Sequence, residues 1–570
     1  MKLGMTPMES LLFNPHPIAL DTNGNLTKQY KAYKPLFDSL QGNILKEHGR
    51  DYTVHMALQF NKPTVKPVDI KRVIAAFSEQ VTSATKQHQD SANYRNWLES
   101  HCLDAYPSEI FINFLLSAKG YRKLGIVAVP SDPSFRLGMK EERKWKEAFP
   151  EWGHSLTASN IVVLRSAKEK DRKAYFQQQL LKANAKQVKA AQLTTEEPWQ
   201  GYLEEGIDAM IILAADNRPT DGAMQADTIV PNRFPEELTA KAKEIEAVFS
   251  PVATVLAEYE HGITYYNKDD ARKQLGDDDR RPIEHFGFID GISNPLFLEN
   301  AVQPVKTHES IESYGRYDPW APLRLVLAKD PNGEPHEYGS YLVFMKLEQN
   351  VQAFKASVGN LAKRLNISTD LAEAFVVGRF RDGTPVALSS RNGNYPIQNN
   401  FDYRDDHGAS DVEGLRCPLH AHTRKVNRRD SYRETRIVRR GITYGYRNYH
   451  YDDKSGYLRF DDEPTGGVGL LFMCFQRDIE RQFGTIMNDW ASQDSPQYGA
   501  GYDPIIGQIA RETRTEGTQR WRDRWGPSLD ARIDSLSFPN TAPFQTFITV
   551  KCGEYFFAPS LGFLKNITKF

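Results

Sequence analysis

The sequence predicts an α+β protein made of two ferredoxin-like domains, antiparallel sheets with helices packed on them. Three observations carry this reading. The chain has 570 residues, enough for more than one core. Apolar runs of strand length alternate with longer amphipathic stretches. The second half reads in order as strand, helix, strand, strand, helix, strand, the ferredoxin-like order, and the first half reads the same way with long insertions.

Residues 1–36 form an irregular lead-in, followed by an N-terminal domain over 37–305 and a C-terminal one over 306–570. In the first domain, 53–60, 109–116 and 208–215 (DAMIILAA) are apolar enough for buried strands. Residues 68–81 and 235–249 are spaced as helices, and 254–259 is the expected closing strand. Between them, 137–206 holds two charged stretches of helix formers. It reads as a solvated helical insertion, with a docking surface as the functional alternative. In the second domain the expected strands are 340–347 (SYLVFMKL), one within 436–446, 469–475 (GLLFMCF) and 545–551. Helices are expected over 350–365 and 478–490. The latter places Ile479, Phe483, Ile486 and Trp490 on one face.

Composition excludes several classes of function. Apolar residues make up 40% and charged residues 25%, the balance of a globular chain. Lys plus Arg is 72 and Asp plus Glu is 73, so neither nucleic acid nor an anionic membrane is expected as a partner. The four cysteines, at 102, 417, 474 and 552, form no CxxC pair, which suits a reducing compartment. No apolar run approaches the ~20 residues of a membrane span. The first residues lack the apolar core of a signal peptide. The expected location is cytoplasmic.

Three segments carry chemistry. In Glu284-His285-Phe286-Gly287-Phe288-Ile289-Asp290-Gly291-Ile292-Ser293-Asn294-Pro295 one acid sits between two glycines behind an apolar run. Glycine lets a flat ligand approach the backbone, and apolar surroundings raise a carboxyl pKa toward the range of proton transfer. The segment from Arg416 to Arg428 (RCPLHAHTRKVNR) offers His420 and His422 among several cations. An imidazole ligates iron, haem iron included, and arginines grip carboxylates such as propionates. On the strand around Arg439-Arg440, alternation sends the two guanidinium groups to opposite faces. Taken singly, these are equally an Asx-type turn, a basic loop and an arginine paired with a structural carboxylate. Taken together they supply a ligand histidine, a positioned acid and a cation, the set that haem-dependent peroxide chemistry needs.

These residues resemble the dye-decolorizing (DyP-type) haem peroxidases. EHFGFIDGISNP is similar to that family's GxxDG signature, RCPLHAHTRKVNRR to its proximal-histidine segment and IVRRGITYG to the segment carrying its distal arginine. LQGNILKEHG, GGVGLLFMCFQRDIERQFGTIMNDW, YDPIIGQ and GEYFFAPS also fit, so the likeness runs from about residue 36 to 562.

The resemblance implies two ferredoxin-like domains with one haem b per chain between them. It implies Asp290 as distal acid–base group and Arg439 as distal arginine, with Arg440 the fallback. His422, not His420, would be the iron ligand, with Asp503 hydrogen-bonded to its imidazole. Gly287, Phe288, Ile289, Gly291, Arg424, Leu470 and Phe472 would contact the cofactor, the last two lining the distal pocket. Hydrogen peroxide and aromatic reducing substrates, dyes and phenols, would be the partners. An acid pH preference follows from a distal aspartate. Two rivals stand beside this: a non-enzymatic haem carrier or sensor, and an interaction protein organised by the charged insertion.

Overall fold

The computed structural model describes residues 7–100, 109–139, 206–216, 234–256, 259–267, 281–290, 293–308, 316–393, 398–404, 411–429, 433–492, 501–507, 521–522, 525–526, 533–534 and 547–570. The expected insertion at 137–206 lies almost wholly outside them.

In the first unit, β1 (Tyr52–Gln59) alternates strictly. Tyr52, Val54, Met56 and Leu58 enter a core roofed by helices, and Thr53 and His55 face the other way. Helix α1 (Pro67–Phe77) starts at a proline and buries Ile70, Ile74 and Phe77 at helical spacing. The strands β2 (Phe111–Ser117) and β3 (Ala209–Ala215) are buried throughout. Helix α2 (Glu236–Phe249) opens with two acids, which suit its positive end, and buries Leu238, Ala242, Ile245 and Phe249.

The closing strand differs from the expected 254–259. There, among the described residues, Thr254–Val255 pairs with Leu58 and Gln59, and Leu256 N donates to Ala57 O at 3.0 Å. The main closing strand is β4 (Glu260–Ile263), paired with residues 52–55 of β1. Gly262 sets that register, because a Cβ on it would lie 2.3 Å from Thr53 Oγ1. A glycine chosen for close approach is what strand propensity undervalues.

The second unit repeats the plan. It comprises β5 (Tyr338–Gln349), α3 (Val351–Leu365), the split pair β6 (Val438–Arg439) and β7 (Ile442–Tyr444), β8 (Gly469–Gln476), α4 (Glu480–Ala491) and β9 (Ile548–Ala558). Asn350 caps α3 by accepting from Ala353 N at 2.9 Å. α4 is a wide π-helix, with Gly484 N donating to Ile479 O and Ser492 N to Met487 O.

Each unit orders its strands as closing, first, third, second. Between the units β2 pairs with β9, through Leu116–Phe557 and Ser117–Phe556, so the strands join in one eleven-stranded sheet. The outer ends of that sheet also meet. Thr443 Oγ1 donates to Ile263 O, and Tyr265 OH donates to Gly445 O at 3.1 Å. The enclosed side packs Leu115, Met210, Ile212, Leu342, Phe344, Leu471, Met473 and Phe556. A third core lies under α3 and takes in Phe286 and Phe288. Two ferredoxin-like domains are therefore the fold. No helix among the described residues is long and apolar enough to cross a membrane.

Candidate functional site

Residues 282–290 form a braced hairpin. Asp290 N donates to Pro282 O at 2.8 Å, and Glu284 N to Phe288 O at 3.0 Å. Gly287 turns the chain with φ of 99°. Inside the turn the Glu284 carboxylate accepts from Phe286 N (2.9 Å), Phe288 N (3.0 Å) and Gln349 Nε2 (2.7 Å). Burial raises the Glu284 pKa, and these donors oppose the rise. Phe286 stacks on Phe354 at 4.3 Å, which docks the hairpin on α3. Arg447, wholly buried over Phe460, donates to His285 O from behind at 2.5 Å. Asp290 thus leaves the hairpin on a rigid base.

Arg439 Nη1 donates to Asp290 Oδ1. The arginine's backbone is held by one side chain: Arg439 N donates to Asn294 Oδ1 (3.1 Å), and Asn294 Nδ2 donates to Arg439 O (3.3 Å). The strand carrying the cation is thereby keyed to the segment carrying the acid. Arg440 points to the opposite face. Its Nε donates to Asn43 O (2.6 Å) and its Nη2 to Ile44 O (3.2 Å), which makes it a staple for the turn after residue 42. Alternation separated the two arginines in the sequence, and the structure puts Arg439 beside Asp290.

On the other side, His422 opens a short helix, His422–Val426. Its Nδ1 lies 2.8 Å from Asp503 Oδ2. Asp503 is buried and fixed in turn: its Oδ1 accepts from Ile505 N (2.8 Å) and Ile506 N (3.0 Å), and its own N donates to Ala491 O at the end of α4. Burial pulls the His422 pKa down, but the Asp503 carboxylate outweighs it and the net direction is up. The ring is therefore oriented through Nδ1, and Nε2 is the atom Asp503 does not engage. His420 is turned away: it is buried edge-on against Trp521 at 4.3 Å.

The two sides lie within electrostatic reach of each other. Asp290 and Arg439 both act electrostatically on the His422 ring. The side chains of His422, Asp290 and Arg439 keep 26%, 26% and 33% of their surface open, although core elements surround them. The donor chemistry suits haem: one carboxylate-backed imidazole on one side, an acid–guanidinium pair on the other. Among the described residues no three His, Cys, Asp or Glu side chains cluster to hold a bare ion.

The remaining expected contacts sort unevenly. Leu470 and Phe472 lie half-buried on the face of β8 shared with Cys474, the residue paired with Arg439, and Phe472 packs on Phe483 at 6.2 Å. Phe288 is buried edge-on to Phe354, and Ile289 is buried in the core beneath the helices of the first unit. Gly291 lies outside the described residues. Arg424 donates to Asp411 Oδ2 (3.0 Å), Asp411 O (2.6 Å) and Cys417 O, and lies over Tyr403 at 4.5 Å. These bonds brace the loop before His422. The sequence reading missed Asn294 and Glu284 as positioning groups. Both stand in the quoted segment, and the Asn294-Pro295 pair was the available signal.

Two ferredoxin-like units holding an acid–guanidinium pair and a carboxylate-backed imidazole are the arrangement expected of a haem peroxidase. Comparison with known proteins agrees. Residues 281–498 match the family model for the C-terminal part of Dyp-type peroxidases. The chain is 32% identical, over 97% of its length and 100% of the relative's, to the multifunctional dye peroxidase DyP2 of Amycolatopsis sp. (strain ATCC 39116 / 75iv2). Its structure resembles the crystal structure of a DyP-type peroxidase from Anabaena sp. (TM-score 0.71, 33% identity, 99% of this chain and 100% of the other). It also resembles the solved structure of DyP2 (TM-score 0.67, 28% identity, 96% and 99%). The chain belongs to the dye-decolorizing, DyP-type peroxidase family, whose members are haem-dependent.

Proposed function

We propose that this chain is a haem b peroxidase, one haem per chain, that uses hydrogen peroxide to oxidise dyes, phenols and other aromatic donors in one-electron steps. The observation that carries the reading is the Asp290–Arg439 pair facing the Asp503-bonded imidazole of His422. His422 Nε2 would hold the iron, with Leu470 and Phe472 beside the cofactor. When bound, the haem supplies the site where peroxide is activated and oxidising equivalents are held.

The protein's own groups do the rest. Asp290 takes a proton from one peroxide oxygen and returns it to the other, as general base and then general acid. Arg439 holds the negative charge that develops on the departing oxygen. Asp503 keeps the His422 ring oriented and electron-rich. Bulky dyes would be oxidised at a surface Tyr or Trp. The chain would divide at 305/306 and work in the cytoplasm. Three cysteines, Cys417, Cys474 and Cys552, are buried and unpaired, which suits a reducing compartment.

The test uses three purified variants. His422→Ala is expected to lose the Soret band. Asp290→Asn and Arg439→Leu are expected to keep it, while the rate of reaction with peroxide falls about 10²–10⁴-fold. Full peroxide turnover in both distal variants, with haem still lost in His422→Ala, would establish a haem carrier or sensor instead.

A further inference from the structure

The turn after residue 42 carries an acid that the mechanism above does not use. This turn is tightly wired. Asn43 N donates to Gln87 Oε1 (2.7 Å), and Gln87 Nε2 donates to Lys46 O (3.0 Å) and Glu47 O (2.8 Å). Arg440, the neighbour of Arg439, grips Asn43 O and Ile44 O. Glu47 is thereby held near the strand that carries the distal cation.

Its surroundings are unusual for an acid on a turn. Glu47 itself is exposed to water on this turn. The charges facing it are Arg440 and Arg439 from the strand and Arg281 and Asp290 from the hairpin, with Lys46 and His48 flanking it in its own turn. Its carboxylate makes no hydrogen bond among the described residues. Burial raises its pKa and the arginines oppose the rise. The neighbouring His48 is pushed down to about 3, chiefly by burial and then by Arg50, so it stays neutral at working pH.

Resting on the proposed function, a proton balance gives this acid a task. Reducing one hydrogen peroxide to two waters consumes two electrons and two protons. A donor too large to enter delivers its electrons from outside and leaves its protons at the surface. The protons must then reach Asp290 from solvent by another route. We propose that Glu47 is the proton inlet of the site, passing protons from solvent water to Asp290 and regaining them from bulk. Only O–H bonds are made and broken in this relay.

The experiment compares holoenzyme carrying Glu47→Gln, Glu47→Ala or Asp290→Asn with wild type. Turnover of a sulfonated anthraquinone dye is measured against pH, in H₂O and D₂O, with and without added formate. Infrared spectra of apo and holo protein report protonated carboxyl groups without turnover. Glu47→Gln should lower dye turnover about tenfold and enlarge the solvent isotope effect. It should also remove an infrared carboxyl signal that titrates above the ordinary glutamate range. Formate should restore Glu47→Ala.

Stability supplies a further readout. A raised folded pKa means that wild type loses stability as pH rises from the unfolded value of about 4.3 through the folded one. Glu47→Gln should therefore unfold at higher temperature than wild type near neutrality and match it well below pH 4. An unchanged pH profile, or no rescue by formate, overturns the inlet. If Asp290→Asn collapses while Glu47→Gln turns over normally, the peroxidase reading stands and the inlet alone fails. If Asp290→Asn keeps wild-type rates, the peroxidase reading itself fails. The Gln variant, isosteric with Glu, decides the question if the Ala variant does not fold.

Discussion

The second strand of each ferredoxin-like unit holds the same place in the sheet, and the two are built differently. β2 runs unbroken through Phe111–Ser117 with every residue buried. Its counterpart is split into β6 and β7 around Arg440-Gly441. Arg440 N still donates to Met473 O at 2.7 Å, but the side chains are redistributed. Val438 enters the enclosed core, Arg439 turns to Asp290, and Arg440 reaches the turn at Asn43 and Ile44. One topology yields a purely structural strand in one unit and a functional strand in the other. The chemistry sits where the regular ladder is interrupted, because an interruption frees side chains to be aimed by other contacts.

That contrast can be broken at its structural end first. Leu115 is fully buried in β2, so Leu115→Ala should cost about 3 kcal/mol, read from the denaturant midpoint. Dye turnover per folded molecule should not change. A large loss of turnover would show that the first unit shapes the site directly.

A smaller effect is expected at Arg440. Arg440→Met removes three hydrogen bonds from a charged donor, to Asn43 O, Ile44 O and Arg439 O. It also relieves the burial of that charge, which already pulls the Arg440 pKa down to about 10. The net cost should be about 2 kcal/mol. In contrast to Leu115→Ala, turnover per folded molecule should fall, because both Arg439 and the turn carrying Glu47 lose a support.

The smallest change sharpens the comparison at the break itself. A Cβ on Gly441 would lie 3.2 Å from Leu471 O and 3.6 Å from a Leu470 methyl. Gly441→Ala should lower stability by about 1 kcal/mol. It should also reduce peroxide reactivity measurably, through a small shift of the strand under Arg439. Unchanged kinetics would mean that Asn294 alone sets the arginine.

Much of this was legible in order along the chain. Period-2 and period-3.6 patterns located the strands and helices of both units, since one-sided burial imposes those periods. The closing strand of the first unit was not, because Gly262 is chosen by the neighbours Thr53 and Ile442 across the sheet. The site divides in the same way. The acid, the imidazole and the arginine stood out as residue types in unusual company. Arg424 stood out too, and the structure adds its bonds to Asp411 and Cys417, which spacing did not show. Glu284, a plain acid in sequence, proves to be the internal brace of the hairpin.

By itself the sequence determined the two-unit α+β plan, the segments that carry chemistry and the opposite faces of Arg439 and Arg440. Local backbone geometry dictates these, and local geometry is written in residue spacing. Only the tertiary structure brings Arg439 to Asp290 and Asp503 to His422 from 81 residues away, as the resemblance implied, and sets Glu47 on a turn pinned by Arg440. Those pairings depend on how separate loops converge in space, and no periodicity along a single chain encodes that convergence.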